Sequence, residues 1–338
     1  MLNKVTHLLK EDGLDEAIDR LKRGELVALP TETVYGLCAR ADSPGAVKSI
    51  FKAKERPADH PLIVHVGSIE RFADWASEIS EQVYRLAAAF CPGPLTFILP
   101  IKEGIDRTVT GGQDCIGLRI PNHPLTLSIL QKSGLGVAGP SANRFGRISP
   151  TSAADVWAEL NGKIDAIVDG GFCQIGIEST IIKIESDHII LLRPGDISPE
   201  KIESIVNMPV LLPAHLDIRV SGNLDSHYAP IKPAYCITQE QAIGMISQKQ
   251  WGEGDWVLRH TGHHVFDSLP LEKNEVQLKL LPNSATGYAQ GLYAALREAD
   301  TLNSVQRLWV IEPDASLASS AWMAVRDRIA RATKPYPL

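Results

Sequence analysis

Residues 44–66, PGAVKSIFKAKERPADHPLIVHV, contain a helix, a forced stop and a strand in one run. Pro44 suits the first turn of a helix, where its missing N–H costs nothing. Val47, Ile50, Phe51 and Lys54 then fall along one helical face. Pro57 disfavours helical backbone at Arg56, so the helix has to stop there. Beyond it Leu62, Val64 and Val66 alternate with Ile63 and His65, which is the period of a strand. A helix leading straight into a strand predicts an α/β chain.

The alternation continues in both directions. Leu14, Ile18 and Leu21 predict a helix over Asp12–Arg23, closed by Gly24, and Glu25–Leu29 reads as a strand. Leu95–Leu99, Ile116–Ile120, Ala166–Val168, Thr180–Ile184 and Ile189–Leu192 are further strands, so a mixed sheet with helical cover is expected over residues 1–205. Pro209, Pro213, Gly222, Asn223, Pro230 and Pro233 crowd a stretch with few helix signals. Residues 206–233 therefore read as a linker. Residues 234–338 read as a smaller α/β domain. Its strands are Asp255–Leu258 and Arg307–Ile311. Its helices run through Tyr288, Leu292, Ala295 and Leu296 and over Ser319–Ala332.

Composition removes several classes of function. The 338 residues carry a net charge of −6, which argues against a surface coated by nucleic acid but leaves room for a local basic pocket. Cys38, Cys91, Cys115, Cys173 and Cys236 are odd in number and widely spaced, without a C-x-x-C. They read as free thiols of a reducing compartment, with no zinc site. No apolar run reaches the ~18 residues of a membrane span, and residues 1–5 lack a signal-type apolar region. A cytoplasmic protein is expected.

One motif misleads. Gly134-Leu135-Gly136-Val137-Ala138-Gly139 matches the dinucleotide fingerprint, but Leu125–Lys132 before it reads as helix and Pro140 follows at once. These glycines are expected to let a strand pass tightly through the core. Lys54 and Arg56, with Lys48 and Lys52 upstream, form a basic cluster at a helix end. Such cations complement a helix dipole, and they also suit a triphosphate. His65 leaves the apolar face of its strand, and so does Arg119 in Ile116-Gly117-Leu118-Arg119-Ile120, which suggests a shared cleft. Pro140-Ser141-Ala142-Asn143 opens a turn with donors and acceptors for a small polar ligand. Glu178-Ser179-Thr180 and Arg193-Pro194-Gly195 complete the set, with Arg193 at a strand end, a common place for ligand contacts in open α/β sheets.

Taken together and in order, these segments resemble one family. Leu29-Pro30-Thr31-Glu32-Thr33-Val34-Tyr35-Gly36-Leu37 resembles the opening signature of the YrdC-like domain. The resemblance continues in register through Lys54-x-Arg56-Pro57, Pro61–Val66, Pro92-Gly93-Pro94-Leu95-Thr96, Arg119-Ile120-Pro121, Ser141-Ala142-Asn143, Glu178-Ser179-Thr180 and Arg193-Pro194-Gly195. His227-Tyr228-Ala229-Pro230, Leu292–Arg297 and Arg326-Asp327-Arg328 resemble the linker and C-terminal domain of the longer members, the two-domain threonylcarbamoyl-AMP synthases. The chain departs from the family pattern at Ser221–Ser226, where a basic run is usual, at Cys115, where Thr is common, and at Arg144-Phe145-Gly146.

The resemblance implies a YrdC-like twisted mixed sheet with helices around a concave basic cavity, plus a smaller Rossmann-like α/β domain. It implies condensation of L-threonine, bicarbonate and ATP to threonylcarbamoyl-AMP, with Mg²⁺ accompanying ATP. Downstream partners would be threonylcarbamoyl-transferase proteins acting on tRNA. By motif position, Thr33, His65, Arg119, Gly139 and Ser179 would surround threonine. Lys54, Arg56, His60, Cys115, Ser141, Asn143, Ser149, Arg193 and Tyr228 would face ATP, with Lys54 and Arg56 as the catalytic cations. Tyr228 is expected on a surface loop that acts as a lid. Competing readings are an RNA-binding module that uses the same basic cavity, a different carbamoyl donor, and a purely structural C-terminal domain.

Overall fold

The computed structural model describes residues 4–213, 219–220, 228–248, 250–263, 276–313 and 320–336. Two compact units divide the chain: Met1–Phe145 with Ser149–Asn223, and Gly146–Ile148 with Leu224–Leu338.

The first unit runs β1 (His7–Leu9), α1 (Leu14–Lys22), β2 (Val27–Leu29), β3 (Gly36–Arg40), α2 (Pro44–Lys54), β4 (Ile63–His65), α3 (Glu81–Phe90), β5 (Leu95–Pro100), β6 (Cys115–Arg119), α4 (Pro124–Ser133), β7 (Val137–Ala138), α5 (Ala153–Leu160), β8 (Ala166–Val168), β9 (Thr180–Ile184), β10 (Ile189–Arg193), α6 (Pro199–Val206) and β11 (Val210–Leu211). Its eleven strands form one mixed sheet in the order β1-β8-β2-β3-β7-β4-β6-β5-β9-β10-β11. Ile18 and Leu21 of α1 and Ile129 and Leu130 of α4 pack on Val27, Leu29, Val137 and Val168 in one buried cluster. Gly24 closes α1 at φ 80°, the left-handed conformation that glycine adopts without strain.

The helix that opens the sequence argument behaves as its signals require. Ser43 caps α2 by accepting from the Ala46 N–H, and Pro44 occupies its first turn. The helix ends on Glu55 in the left-handed region, at φ 55°. That turn leaves Lys54 and Arg56 both buried. The glycine-rich stretch at 134–139 is no nucleotide fingerprint: α4 ends on Gly134, and β7 passes through the centre of the sheet. A Cβ on Gly136 would lie 2.4 Å from the Trp75 ring, so the close approach needs glycine.

The second unit holds β12 (Ala234–Ile237), α7 (Gln239–Ser247), β13 (Asp255–His260), β14 (Val276–Leu281), α8 (Ala285–Thr301), β15 (Arg307–Ile311), α9 (Met323–Ala332) and β16 (Lys334–Pro335). Its five strands are all parallel, in the order β14-β13-β15-β12-β16. Ile237, Met245, Val257, Trp309 and Ile311 form its core against α7. The buried Asp255 carboxylate accepts from Arg307 at 2.8 and 2.9 Å and from the Trp309 indole at 2.9 Å, so it is fully paired.

Gly195 ties the first unit together behind Arg193. An added Cβ would sit 2.3 Å from the Thr180 backbone nitrogen, an atom that cannot yield. Gly195→Ala is expected to cost about 2 kcal/mol or more of the first unit's stability. Gly45→Ala, on the helix with nothing within 4 Å of its added Cβ, should instead be neutral or slightly stabilising. Urea unfolding of the two variants checks the contrast, and equal midpoints would refute the packing argument.

Candidate functional site

The site is built on the middle of the large sheet. Strands β4 and β6 run parallel with His65 opposite Arg119, and Thr96 of β5 lies opposite Arg119 on its other side. Residues directly opposite on paired strands project from the same face, so His65, Arg119 and Thr96 converge. Gly139, just past β7, donates to the Ile63 carbonyl at 2.9 Å. A Cβ there would lie 3.1 Å from His65 Nδ1, so glycine lets the backbone lie against the imidazole.

Arg119 is buried and fully organised. Its Nη2 donates to Glu32 Oε1 at 2.7 Å and to Thr33 Oγ1 at 3.0 Å, and its Nε donates to the Gly93 carbonyl at 3.2 Å. Ser179 Oγ lies 2.8 Å from Thr96 Oγ1. Arg193 grips the same serine twice, from Nη2 to Oγ and from Nε to the carbonyl, both at 3.0 Å. Thr33, His65, Arg119, Gly139 and Ser179 thus gather in one region of the first unit.

A second group adjoins it along the chain. The Lys54 ammonium donates to the backbone carbonyls of Ser141 and, at 2.6 Å, of Asn143, and the Lys54 carbonyl accepts from Phe145 N–H at 2.9 Å. Lys54 therefore staples the Ser141–Asn143 turn to the end of α2. Arg56 Nη2 reaches the Pro61 carbonyl at 3.2 Å. The His60 ring meets Phe145 edge-on, with centroids 5.5 Å apart. Ser149 donates to Glu178 at 2.6 Å, which sets it beside the Ser179 group. Cys115 shares the face of Gly117 and Arg119, about 13 Å from Arg119 along β6. It borders a crevice also lined by Ile63, Ile98, Arg219 and Val220.

Burial governs the titrations here. His65 falls to about 3, first because burial penalises the imidazolium and then because Arg119 repels it. It is a neutral ring, and its buried Nδ1 makes no hydrogen bond among the described residues. An orphaned nitrogen of this kind fits a ligand partner. Lys54 is driven well below its ordinary value by burial, with Arg56 adding repulsion. Burial also raises the Cys115 thiol. All five cysteines are unpaired. Among the described residues no group of three or more His, Cys, Asp or Glu could hold a metal, and no helix is long and apolar enough to cross a membrane.

Tyr228 differs from the sequence expectation. It is 1% exposed, not a surface side chain. It lies in the second unit, its ring 5.6 Å from that of Tyr293 and 5.5 Å below the Arg328 guanidinium. Its φ of 63° puts a tyrosine in left-handed backbone. The interior filled by Tyr293 and Arg328 holds it, and the Pro-rich local sequence gave no sign of them. His227 and the altered segment 221–226 lie outside the described residues. Sequence reading also passed over Glu32, Thr31 and Thr96 as site residues. In the sequence Glu32 is an ordinary acid in the turn after β2, and the partner that buries it, Arg119, is 87 residues away.

Comparison with known proteins follows this geometry. A family model described as "Telomere recombination" matches residues 19–195, and one described as "Threonylcarbamoyl-AMP synthase, C-terminal domain" matches residues 197–333. The threonylcarbamoyl-AMP synthase of Bacillus subtilis is 39% identical over 301 residues, covering 84% of each chain. That of Pyrococcus abyssi is 45% identical over 215 residues, 62% of this chain and 63% of the relative. A crystal structure of P. abyssi Sua5 complexed with L-threonine superposes with a TM-score of 0.83 at 32% identity, covering 98% of this chain and 100% of that one.

The buried His65 makes stability depend on acid. Unfolded, it titrates near its ordinary value of 6.5; folded, it stays neutral to about 3. The unfolded state therefore binds a proton that the folded state refuses, and stability is lost as pH falls from 6.5 toward 3, by up to about 1.4 kcal/mol per pH unit. His65→Gln should flatten this part of the pH profile. Urea midpoints of both proteins across that window check it, and parallel profiles would overturn the assignment.

Proposed function

The chain belongs to the threonylcarbamoyl-AMP synthase family, a family of nucleotidyltransferase enzymes, and on that premise we propose that it condenses L-threonine, bicarbonate and ATP into threonylcarbamoyl-AMP, releasing pyrophosphate and water. The convergence of Thr33, His65, Arg119, Gly139 and Ser179 beside the stapled Ser141–Asn143 turn is the observation that supports this reading. The product then serves N6-threonylcarbamoyladenosine formation in tRNA, through cytoplasmic transferase proteins that accept the threonylcarbamoyl group.

Two steps balance the reaction. The threonine amine and bicarbonate join as a carbamate with loss of water. A carbamate oxygen then attacks the α-phosphorus of ATP, and the bond to pyrophosphate breaks. In this reading Arg119 binds the amino-acid carboxylate. Neutral His65 offers its orphaned nitrogen, and Thr33, Ser179 and the backbone at Gly139 meet the polar groups of threonine. Arg56, Arg193 and Lys54 offset the repulsion between the carbamate and the phosphates and the charge growing on pyrophosphate. Lys54 also holds the turn whose Ser141 and Asn143 face the nucleotide, so positioning and charge stabilisation share one side chain. His60, Cys115 and Ser149 complete the nucleotide set, and Tyr228 is added on its motif position alone. Mg²⁺ would be held mainly by the phosphate oxygens of ATP, where it would offset their charge.

Incubating the protein with ATP, bicarbonate and L-threonine and weighing the products by mass spectrometry tests the proposal. Threonylcarbamoyl-AMP is expected, and its absence from an ATP-binding preparation would sink the reading. Arg56→Ala should weaken ATP binding and nearly abolish turnover with little change in folding, whereas wild-type activity would remove Arg56 from the phosphate site. Valine keeps the shape of threonine without its hydroxyl and is expected to be a poor substrate. A site that bonds a hydroxyl rejects the analogue lacking it by up to ~10⁴-fold. Equal pyrophosphate release with the two amino acids would refute that pocket.

A further inference from the structure

We propose that Thr31 and Glu32 are positioning residues that fix which atoms of the amino-acid pocket donate and which accept. The inference rests on the threonine site proposed above and goes beyond it by assigning a direction to each hydrogen bond there.

Glu32 is buried with both carboxylate oxygens committed to donors. Oε1 accepts from Arg119 Nη2 at 2.7 Å, and Oε2 accepts from the Asn122 backbone N–H at 2.9 Å. The Glu32 carbonyl is held in turn by Ile175 N–H at 2.8 Å. Together with Thr33 Oγ1 and the Gly93 carbonyl, these contacts occupy Nε and Nη2 of Arg119. Nη1 makes no hydrogen bond among the described residues. It is the nitrogen left to meet a substrate carboxylate, and the pairing of the other two fixes the plane in which it is presented.

The hydroxyl chain is equally constrained. Thr31 Oγ1 donates its one proton to the Val34 carbonyl at 2.6 Å. It also accepts from the Thr33 and Val34 N–H groups, both at 3.1 Å. Because the Val34 carbonyl can only accept, it holds that proton, and the 2.8 Å contact with Thr33 Oγ1 then draws on the proton of Thr33, which competes with the two longer N–H contacts for the lone pairs of Thr31. Thr33 Oγ1 gives that proton to Thr31 and accepts from Arg119 at 3.0 Å, which leaves one lone pair. In this arrangement Thr33 presents an acceptor to a ligand. It recognises an N–H or O–H group of the substrate, while Arg119 beside it recognises the carboxylate. An amino acid supplies this pair of opposite polarities; a dicarboxylate or a substrate with only acceptors does not.

Neither Thr31 nor Glu32 touches the substrate in this arrangement, so their loss should alter recognition of threonine and not of ATP. The test measures KM for threonine and for ATP, together with the melting temperature, in four full-length proteins: wild type, Thr31→Val, Thr31→Ser and Glu32→Gln. Thr31→Val keeps the shape and frees the Thr33 proton to point at the ligand. KM for threonine should rise at least tenfold with KM for ATP within twofold, and Thr31→Ser should restore the wild-type value. In Glu32→Gln one oxygen becomes an NH2 that has to face an N–H donor, and KM for threonine should rise by ten- to a hundredfold with the same split. A threonine KM within twofold of wild type in Thr31→Val, or a parallel rise in both KM values in that variant, overturns the inference. If Glu32→Gln does not fold, the Thr31 pair decides alone. A wild-type protein that makes no threonine-dependent product fails the underlying reading instead, so the two failures are distinct.

Discussion

Burying cations without stranding them is the constraint that organises the first unit. Lys54, Arg56, Arg119 and Arg193 are each less than 9% exposed. A buried charge without partners costs several kcal/mol, so each one obliges the chain to supply acceptors at a fixed place. Arg119 draws in the Glu32 carboxylate, the Gly93 carbonyl and a threonine hydroxyl. Arg193 takes both oxygens of Ser179. Lys54 takes two carbonyls of a turn that would otherwise have to find other donors. The irregular segments around the site are therefore ordered by the charges they enclose. Glycine at 93, 139 and 195 lets backbone come close enough to do so.

How much of this was legible depends on the range of the interaction. Local signals were clear. Pro44 began α2, Pro57 enforced its end, and the alternation at 62–66 set His65 apart from Leu62, Val64 and Val66. Arg119 stood out on the same grounds, and the register places it directly opposite His65. Partnerships across the chain were not legible. Glu32 looks like any acid in a polar turn until Arg119 arrives from β6. Lys54 reads as a phosphate ligand from its spacing, yet its ammonium is satisfied by main-chain carbonyls some ninety residues on. Tyr228 was placed at the surface because prolines surround it, and α8 and α9 of its own unit bury it.

The second unit solves a different problem with the same means. An all-parallel sheet buries its strands on both faces and leaves little room for charge. Asp255 opens β13 inside it and is neutralised by Arg307 on the adjacent strand β15, with the Trp309 indole sharing one oxygen. The pair fixes strand register as well as charge. A slip by one residue would turn Trp309 to the other face and separate both donors from the carboxylate.

The two-residue strand β7 has a mechanical consequence. It joins β3 on one side to β4 on the other, so the eleven-stranded sheet is two half-sheets laced together along Val137–Ala138. Backbone hydrogen bonds extend the seam on either side, from Ala41 N–H to the Gly136 carbonyl at 2.9 Å and from Leu37 N–H to the Pro140 carbonyl at 2.7 Å, and the backbone that emerges from it carries Gly139, Ser141 and Asn143. His65 and Arg119 belong to one half, and Thr33 lies in the turn of the other, between β2 and β3. The Arg119 contacts with Glu32 and Thr33 already cross this joint, so the buried ion pair that orders the side chains is also a brace between the two half-sheets.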